Sequence, residues 1–185
     1  DTNYPFEPES RLTFSTLGKP GRFAVALRVP GFAAGKAVVT VNDAPVQPVI
    51  ERGYAIVTRT WRAGDTVAIT LPLDLRMEAT PGNPNVVAVL RGPLVLAGDL
   101  GPASEEWAGV EPAMVGTDLL AGFAPIDPVA ATFATKGIVR PANLTFVPFY
   151  RQYERRSALY FKRFTDAAWS SEAAAFLAEQ ARMKD

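Results

Sequence analysis

The stretch NVVAVLRGPLVLAGDL, residues 85–100, is the longest near-continuous apolar run in the chain. Val86, Val87, Ala88, Val89 and Leu90 lead into Arg91-Gly92-Pro93, and Leu94, Val95, Leu96 and Ala97 follow. Runs this short and this rich in β-branched residues, set between Pro81-Gly82-Asn83-Pro84 and Asp99-Leu100-Gly101-Pro102, read as strands buried on both faces rather than as a helix. Pro93 has no N–H to give to a ladder and Gly92 accepts unusual backbone angles, so the pair marks a bend or bulge between the two halves. Arg91 is the charge in the middle of the run. A buried guanidinium without a partner costs several kcal/mol, so Arg91 is expected to meet a carboxylate, meet carbonyls or reach water.

Upstream, the pattern is period two. Leu12 and Phe14 alternate with polar residues; after the turn Gly18-Lys19-Pro20-Gly21, Phe23, Val25, Leu27 and Val29 share one face. Val38 to Val41 and Val46 to Ile50 flank Asn42-Asp43, a hairpin signal, and Val67, Ile69 and Leu71 face one way while Ala68 and Thr70 face the other. Strands every ~8–12 residues with Gly, Pro and Asp between them predict an antiparallel sandwich. Residues 101–128 hold four prolines and four glycines and read as a long connection with one helical turn near Asp118 to Ala121. Such loops are uncommon inside one compact domain, which places a boundary near residue 100.

Beyond it, strand character resumes at 132–135, 144–150 and 157–164, with Arg151 to Arg156 as the polar tip of a hairpin. Thr165 to Met183 has no Gly or Pro and predicts a helix, with Trp169, Ala173, Phe176, Leu177 and Gln180 on one face. The expected fold is therefore mainly β: an antiparallel, jelly-roll-like β-sandwich over residues 1–100, then, over 101–185, a linker, a smaller β unit and a C-terminal α-helix.

The 185 residues carry 19 basic and 19 acidic side chains. This balance leaves no electrostatic footprint for nucleic acid or an anionic membrane, and no run reaches the ~20 apolar residues that cross a bilayer. Neither nucleic acid nor membrane is an expected partner. Histidine and cysteine are both absent, which removes thiolate and imidazole chemistry and every Ser-His or Cys-His arrangement. Acid–base chemistry would fall to carboxylates such as Asp65, Asp74, Glu78, Glu105, Glu106, Glu111 and Glu154, none of which has a distinctive spacing. Asp65, in Ala63-Gly64-Asp65-Thr66, reads as a turn residue. Trp61, Trp107 and Trp169 offer faces on which sugars stack, although large aromatics more often pack cores or interfaces. The chain starts at Asp1 with no leader, so it is expected to be processed or cut from a longer protein.

Seven pieces occur in order: Thr2-Asn3-Tyr4-Pro5-Phe6, Leu27-Arg28-Val29-Pro30-Gly31-Phe32, Val41-Asn42-Asp43, Gly53-Tyr54 with Arg59-Thr60-Trp61, Gly64-Asp65, Arg91-Gly92-Pro93-Leu94-Val95, and Phe146-Val147-Pro148-Phe149-Tyr150. Together they resemble the C-terminal, non-catalytic β-sandwich region of glycoside hydrolase family 127, the β-L-arabinofuranosidase-like proteins also called domain of unknown function 1680. The resemblance implies an (α/α)6 catalytic barrel on the N-terminal side, carrying a zinc site with cysteine and glutamate ligands, one cysteine being the nucleophile. Without cysteine, this chain has no position onto which those catalytic or metal residues map, so no catalytic residue and no cofactor is expected here. By the resemblance, zinc is expected only in the missing catalytic domain.

The implied role is ancillary: bracing the barrel and bordering its substrate cleft. The competing readings are a free-standing carbohydrate-binding module, which needs coplanar exposed aromatics, and a carboxylate-dependent hydrolase, which needs two carboxylates across a pocket. The expected partners are the chain's own catalytic domain, an oligosaccharide and, through uncovered apolar ends, a second copy. Tyr4, Phe6, Trp61, Arg91, Tyr150, Tyr153 and Trp169 are the candidates for domain-interface or sugar contact.

Overall fold

The computed structural model describes residues 1–107 and 109–182. It consists of two compact units, Asp1–Asp74 and Leu75–Asp185.

The first unit has seven strands: β1 (Glu9–Thr13), β2 (Gly21–Arg28), β3 (Val38–Val41), β4 (Ala44–Val46), β5 (Val49–Glu51), β6 (Tyr54–Trp61) and β7 (Thr66–Thr70). They form a four-stranded sheet, β1-β7-β3-β4, and a three-stranded sheet, β2-β6-β5, with antiparallel pairing throughout. Leu27, Ala55 and Trp61 of one sheet and Val39, Val41, Val67 and Ile69 of the other belong to one buried cluster, so this is a sandwich closed over a single core. The period-two face Phe23, Val25, Leu27, Val29 turns towards that core, with burial deepening along it.

Two tight hairpins set the register. Asn42-Asp43 joins β3 to β4 with φ of 49° and 63°, and Arg52-Gly53 joins β5 to β6 with φ of 49° and 77°. Positive φ at both central residues matches the right-handed strand twist, which is why Asn, Asp and Gly are found there. The N-terminal arm folds back on its own unit: the Asp1 amine donates to Arg11 O at 2.8 Å, Arg11 N–H donates to Asp1 O at 2.9 Å, and Thr2 bridges Ser10.

Among the described residues, the second unit holds ten strands: β8 (Leu75–Thr80), β9 (Asn83–Arg91), β10 (Leu94–Pro102), β11 (Ala113–Val115), β12 (Phe123–Asp127), β13 (Thr132–Thr135), β14 (Val139–Arg140), β15 (Thr145–Pro148), β16 (Arg155–Ala158) and β17 (Phe161–Phe164). Helix α1 (Asp166–Arg182) follows. The sheet runs β12-β13-β15-β10-β9-β17-β11-β14, with β8 added to β9 and β16 to β10. Among the described residues one pairing is parallel, β11 with β17. The apolar run of residues 85–100 is the centre of this sheet: Gly92-Pro93 makes a two-residue hairpin between β9 and β10, with Leu94 opposite Arg91 and the positive φ, 51°, at Gly92. Phe146 packs between Phe123 and Phe161, with ring centroids 5.0 and 5.2 Å away, under the buried Val87, Val89 and Leu96.

Three expectations meet a different arrangement. The unit boundary falls at Asp74/Leu75, whereas residue 100 lies inside β10, so residues 75–100 supply strands to the second unit. That unit, with ten strands against seven, is the larger. The prolines and glycines of 101–128 suggested a connection, but Ala113-Met114-Val115, fully buried between Pro112 and Gly116, threads the core as β11. Three residues are too few to show a period. Third, Arg151 to Arg156 is not a hairpin tip: β15 and β16 both pair antiparallel with β10, so they run the same way and cannot be each other's hairpin partner. A 3-10 turn at Leu120–Gly122 stands where a helical turn was expected.

Helix α1 starts as the sequence indicates. Thr165 Oγ1 accepts from Ala168 N–H at 3.1 Å, an N-cap, with Asp166 in the first turn and Arg182 in the last. Met183, read as its end, lies outside the described residues. Phe164, Trp169 and Phe176 meet edge-to-face, with centroids 5.3–5.8 Å apart, and fasten the helix to β17. Ala173 and Gln180 also turn inwards, while Leu177, placed on the same stripe, is 42% exposed.

Candidate functional site

The residues singled out from sequence do not converge on one place. Trp61 ends β6 with 0% exposure, its Nε1–H donating to Phe23 O at 3.1 Å and its ring 4.8 Å from Phe14. It is a core residue, and neither a sugar nor a neighbouring domain can touch it. Tyr4 is half-buried and packs against the same core, so it is held within its own unit, and Phe6 is half-buried beside it. Trp169 is half-buried in the triad under α1.

Two of the candidates do come together. Arg91 at the β9–β10 hairpin, the 149–151 turn after Pro148 (opposite Leu96) and the turn before β13 lie at one end of the second sheet by register. Arg151 Nη1 donates to Ala130 O at 3.4 Å across that end. Arg91 is half-buried, and burial pushes its guanidinium below the ordinary arginine value. Tyr150 is 59% exposed, with Arg151 5.8 Å from its ring centroid. Tyr153, 82% exposed, stands two residues before Arg155, which pairs opposite Pro102 at the other end of β10.

Asp65, Asp74, Glu78 and Glu179 are tied into structure rather than poised for proton transfer. Asp65 accepts from Asn42 Nδ2 at 2.8 Å and from Arg62 N–H at 2.9 Å, with Arg59 at 3.9 Å. Asn42 Oδ1 in turn accepts from Thr66 N–H, so the β3–β4 and β6–β7 turns share one polar knot. The Asn42 hydrogen bond first, then that of Arg62, holds the Asp65 carboxyl below the usual carboxylate range. Glu179 is likewise lowered, by the hydrogen bond from Lys162 at 2.8 Å. A glycosidic general acid needs its carboxyl raised, the opposite direction. Asp74 pairs with Lys36 and Glu78 with Arg76. The zinc that the family resemblance implies does not fit this chain: it has no Cys or His, and among the described residues no three Asp or Glu gather to hold an ion.

A concavity lies elsewhere in the second unit. A groove of about 910 Å³ runs between α1 and the β17–β9 wall. From the helix come Ala168, Glu172, Ala175, Phe176, Glu179 and Arg182. Their spacing of four, three, one, three and three puts them on one face, a stripe of charged Glu172, Glu179 and Arg182 that shares Phe176 with the apolar one. The apolar stripe is the stronger signal in the sequence, and the Glu172–Glu179–Arg182 spacing beside it is the one that marks the groove.

The fold and these surfaces define a mainly β, two-unit protein without a recognisable catalytic pair among the described residues. Comparison with known proteins makes this more specific. Residues 1–73 match the family model described as β-L-arabinofuranosidase, GH127 middle domain. That match ends one residue short of the end of the first unit. The model names the middle part of such enzymes, which refines the C-terminal placing suggested by the sequence. The non-reducing end β-L-arabinofuranosidase of Bifidobacterium longum subsp. longum is 33% identical over 102 residues, 51% of this chain and 15% of that enzyme. In fold, the chain is similar to a GH127 β-L-arabinofuranosidase from Geobacillus stearothermophilus T6, with a TM-score of 0.65 at 23% identity over 89% of this chain and 30% of that one. It is also similar to another GH127 β-arabinofuranosidase, with a TM-score of 0.62 at 20% identity over 88% and 30%. The chain is thus similar in sequence and fold to a part of the GH127 β-L-arabinofuranosidases, and spans about a third or less of each relative's length.

Proposed function

We propose that this chain is a non-catalytic ancillary region of a GH127-type β-L-arabinofuranosidase, whose role is to brace the enzyme's N-terminal catalytic barrel and border its substrate cleft. The observation that carries this is the match of residues 1–73 to the GH127 middle domain, which coincides with a self-contained sandwich whose core needs no residue from outside it. The chemistry available supports it. No thiol or imidazole exists, and among the described residues the two carboxylates whose acidity is clearly perturbed are both held ionised by donors. Zinc and the nucleophile would reside in the catalytic domain.

The reading as a free-standing carbohydrate-binding module through an aromatic platform loses its main support, because Trp61 is buried and Tyr54, 41% exposed, already carries the Arg28 guanidinium 5.4 Å over its ring. The test is hydrolysis of an aryl β-L-arabinofuranoside by this chain alone and by the chain joined to its catalytic domain. Turnover is expected from the joined protein only. Turnover by this chain above a buffer blank, or stoichiometric zinc in it by elemental analysis, would overturn the reading.

A further inference from the structure

We propose that the groove between α1 and the β17–β9 wall binds an acidic saccharide: a hydroxyl-rich molecule carrying a carboxylate, such as a short uronate oligomer. The choice of a saccharide rests on the reading of the chain as part of a glycosidase; the site itself rests on the lining of the groove. At about 910 Å³ the groove lies in the size range of small-ligand sites. Its floor is apolar: Phe176 and Leu119 are buried, and Val86 and Phe164 half-buried. Its rim is polar and open to water, with Asn83, Asn85, Thr117, Glu172, Arg163 and Arg182 all exposed. A sugar ring has the matching construction, a C–H face for the floor and an edge of hydroxyls for amides, hydroxyls and charged groups. A purely apolar ligand would strand the rim's hydrogen-bonding groups against hydrocarbon, at a cost.

The charges select the acidic class. The groove holds three cations, Lys162, Arg163 and Arg182, against two carboxylates, Glu172 and Glu179. Lys162 and Glu179 neutralise each other at 2.8 Å, and Lys162 Nζ is fixed 5.4 Å from the Phe176 ring centroid. The lining therefore keeps one positive charge in excess, although Arg182 also acts on the Glu179 carboxylate. Among the described residues, the side chains of Arg163 and Arg182, both exposed, make no hydrogen bond or ion pair. A guanidinium presents paired N–H donors that match a carboxylate in two parallel bonds, and such charge-assisted pairs are about twice as strong as neutral ones.

The experiment is a titration of the whole chain with trigalacturonate, followed by amide shifts in NMR, with neutral arabinotriose and inorganic phosphate as parallel arms. Trigalacturonate is expected to move the amides of Asn85, Thr117 and Glu172, with a dissociation constant of about 1 mM or tighter. Arabinotriose is expected to bind about tenfold more weakly and phosphate not to displace trigalacturonate. Arg163→Gln and Arg182→Gln should each weaken binding about tenfold. Glu172→Gln should leave it unchanged or tighten it. All three positions are exposed, so their circular dichroism should match that of the parent. No shift at ~10 mM trigalacturonate, equal affinity for arabinotriose, displacement by phosphate, or arginine variants that bind normally would each overturn the proposal. None of these outcomes bears on bracing, which is read from the catalytic domain's effect on stability.

Discussion

Trp61 was a candidate sugar platform and is instead the largest fully buried side chain, so its replacement measures directly how the first unit is held together. Trp61→Ala removes an indole with 0% exposure, its contacts with Phe14 at 4.8 Å and Phe23 at 6.2 Å, and the 3.1 Å hydrogen bond to Phe23 O. Large-to-small changes of this kind cost about 3–5 kcal/mol, to which the two tilted ring contacts add about 1 kcal/mol. Trp61→Phe keeps most of the ring area and loses the N–H donor and some volume, about 2–3 kcal/mol in all. For a unit the size of Asp1–Asp74, each kcal/mol is about 4–8 °C of melting temperature. The assay is urea and thermal unfolding followed by hydrogen exchange, so that amides of the two units are read separately. The loss should be confined to amides of residues 1–74, with Trp61→Ala at least ~1 kcal/mol worse than Trp61→Phe. A cost below ~1 kcal/mol for Trp61→Ala would mean that the indole is not in the core, and the argument against an aromatic platform would fail.

Asp65 predicts a pH dependence. Its folded pKa is depressed by Asn42 and Arg62, so its contribution is fully present above the unfolded value of about 3.9 and is lost as pH falls through the folded value. Asp65→Asn should therefore remove part of the stability difference between pH 7 and pH 2 seen in thermal melts, and parallel curves for the two proteins would refute the role. Gly53→Ala, at φ 77° with its Cβ directed at Arg28 Nη1, should cost about 1–2 kcal/mol by urea unfolding, because the left-handed backbone is strained and Arg28 loses its 2.6 Å bond to Gly53 O. Phe176→Ala should loosen α1 by about 3 kcal/mol and Lys162→Ala by less than 1, an order that hydrogen exchange of the helix amides can check, since the first removes a buried ring of the triad and the second an exposed ion pair.

What the sequence revealed was what local rules govern. The Phe23–Val29 and Val67–Leu71 alternations, the Asn42-Asp43 turn, the turn role of Asp65 and the run of residues 85–100 all translate into the fold, because period and turn chemistry are local properties. What it concealed depends on partners distant in the chain. β15 and β16 both pair with β10, about fifty residues earlier, and nothing between Arg151 and Arg156 announces that. β11 is three residues long, below the length at which a period shows. Trp61 could have been placed: Ala55, Val57 and Trp61 share a phase and all face the core, but Arg59 in the same phase hid it. Arg59 is accommodated by standing 5.2 Å from the Trp61 ring centroid and close to Asp65. The groove beside α1 is likewise a tertiary feature, with three lining residues drawn from β9 and three from β17.

The central claim is that this region braces the catalytic domain of a GH127-type enzyme, and the most direct measurement is the unfolding of residues 1–74 with and without that domain attached. The account predicts that hydrogen-exchange protection in the first unit rises and its melting temperature increases by several degrees in the joined protein, the signature of a surface that binds only the folded form. Identical protection and melting in the two proteins would show that the sandwich supports nothing beyond itself, and would contradict the claim.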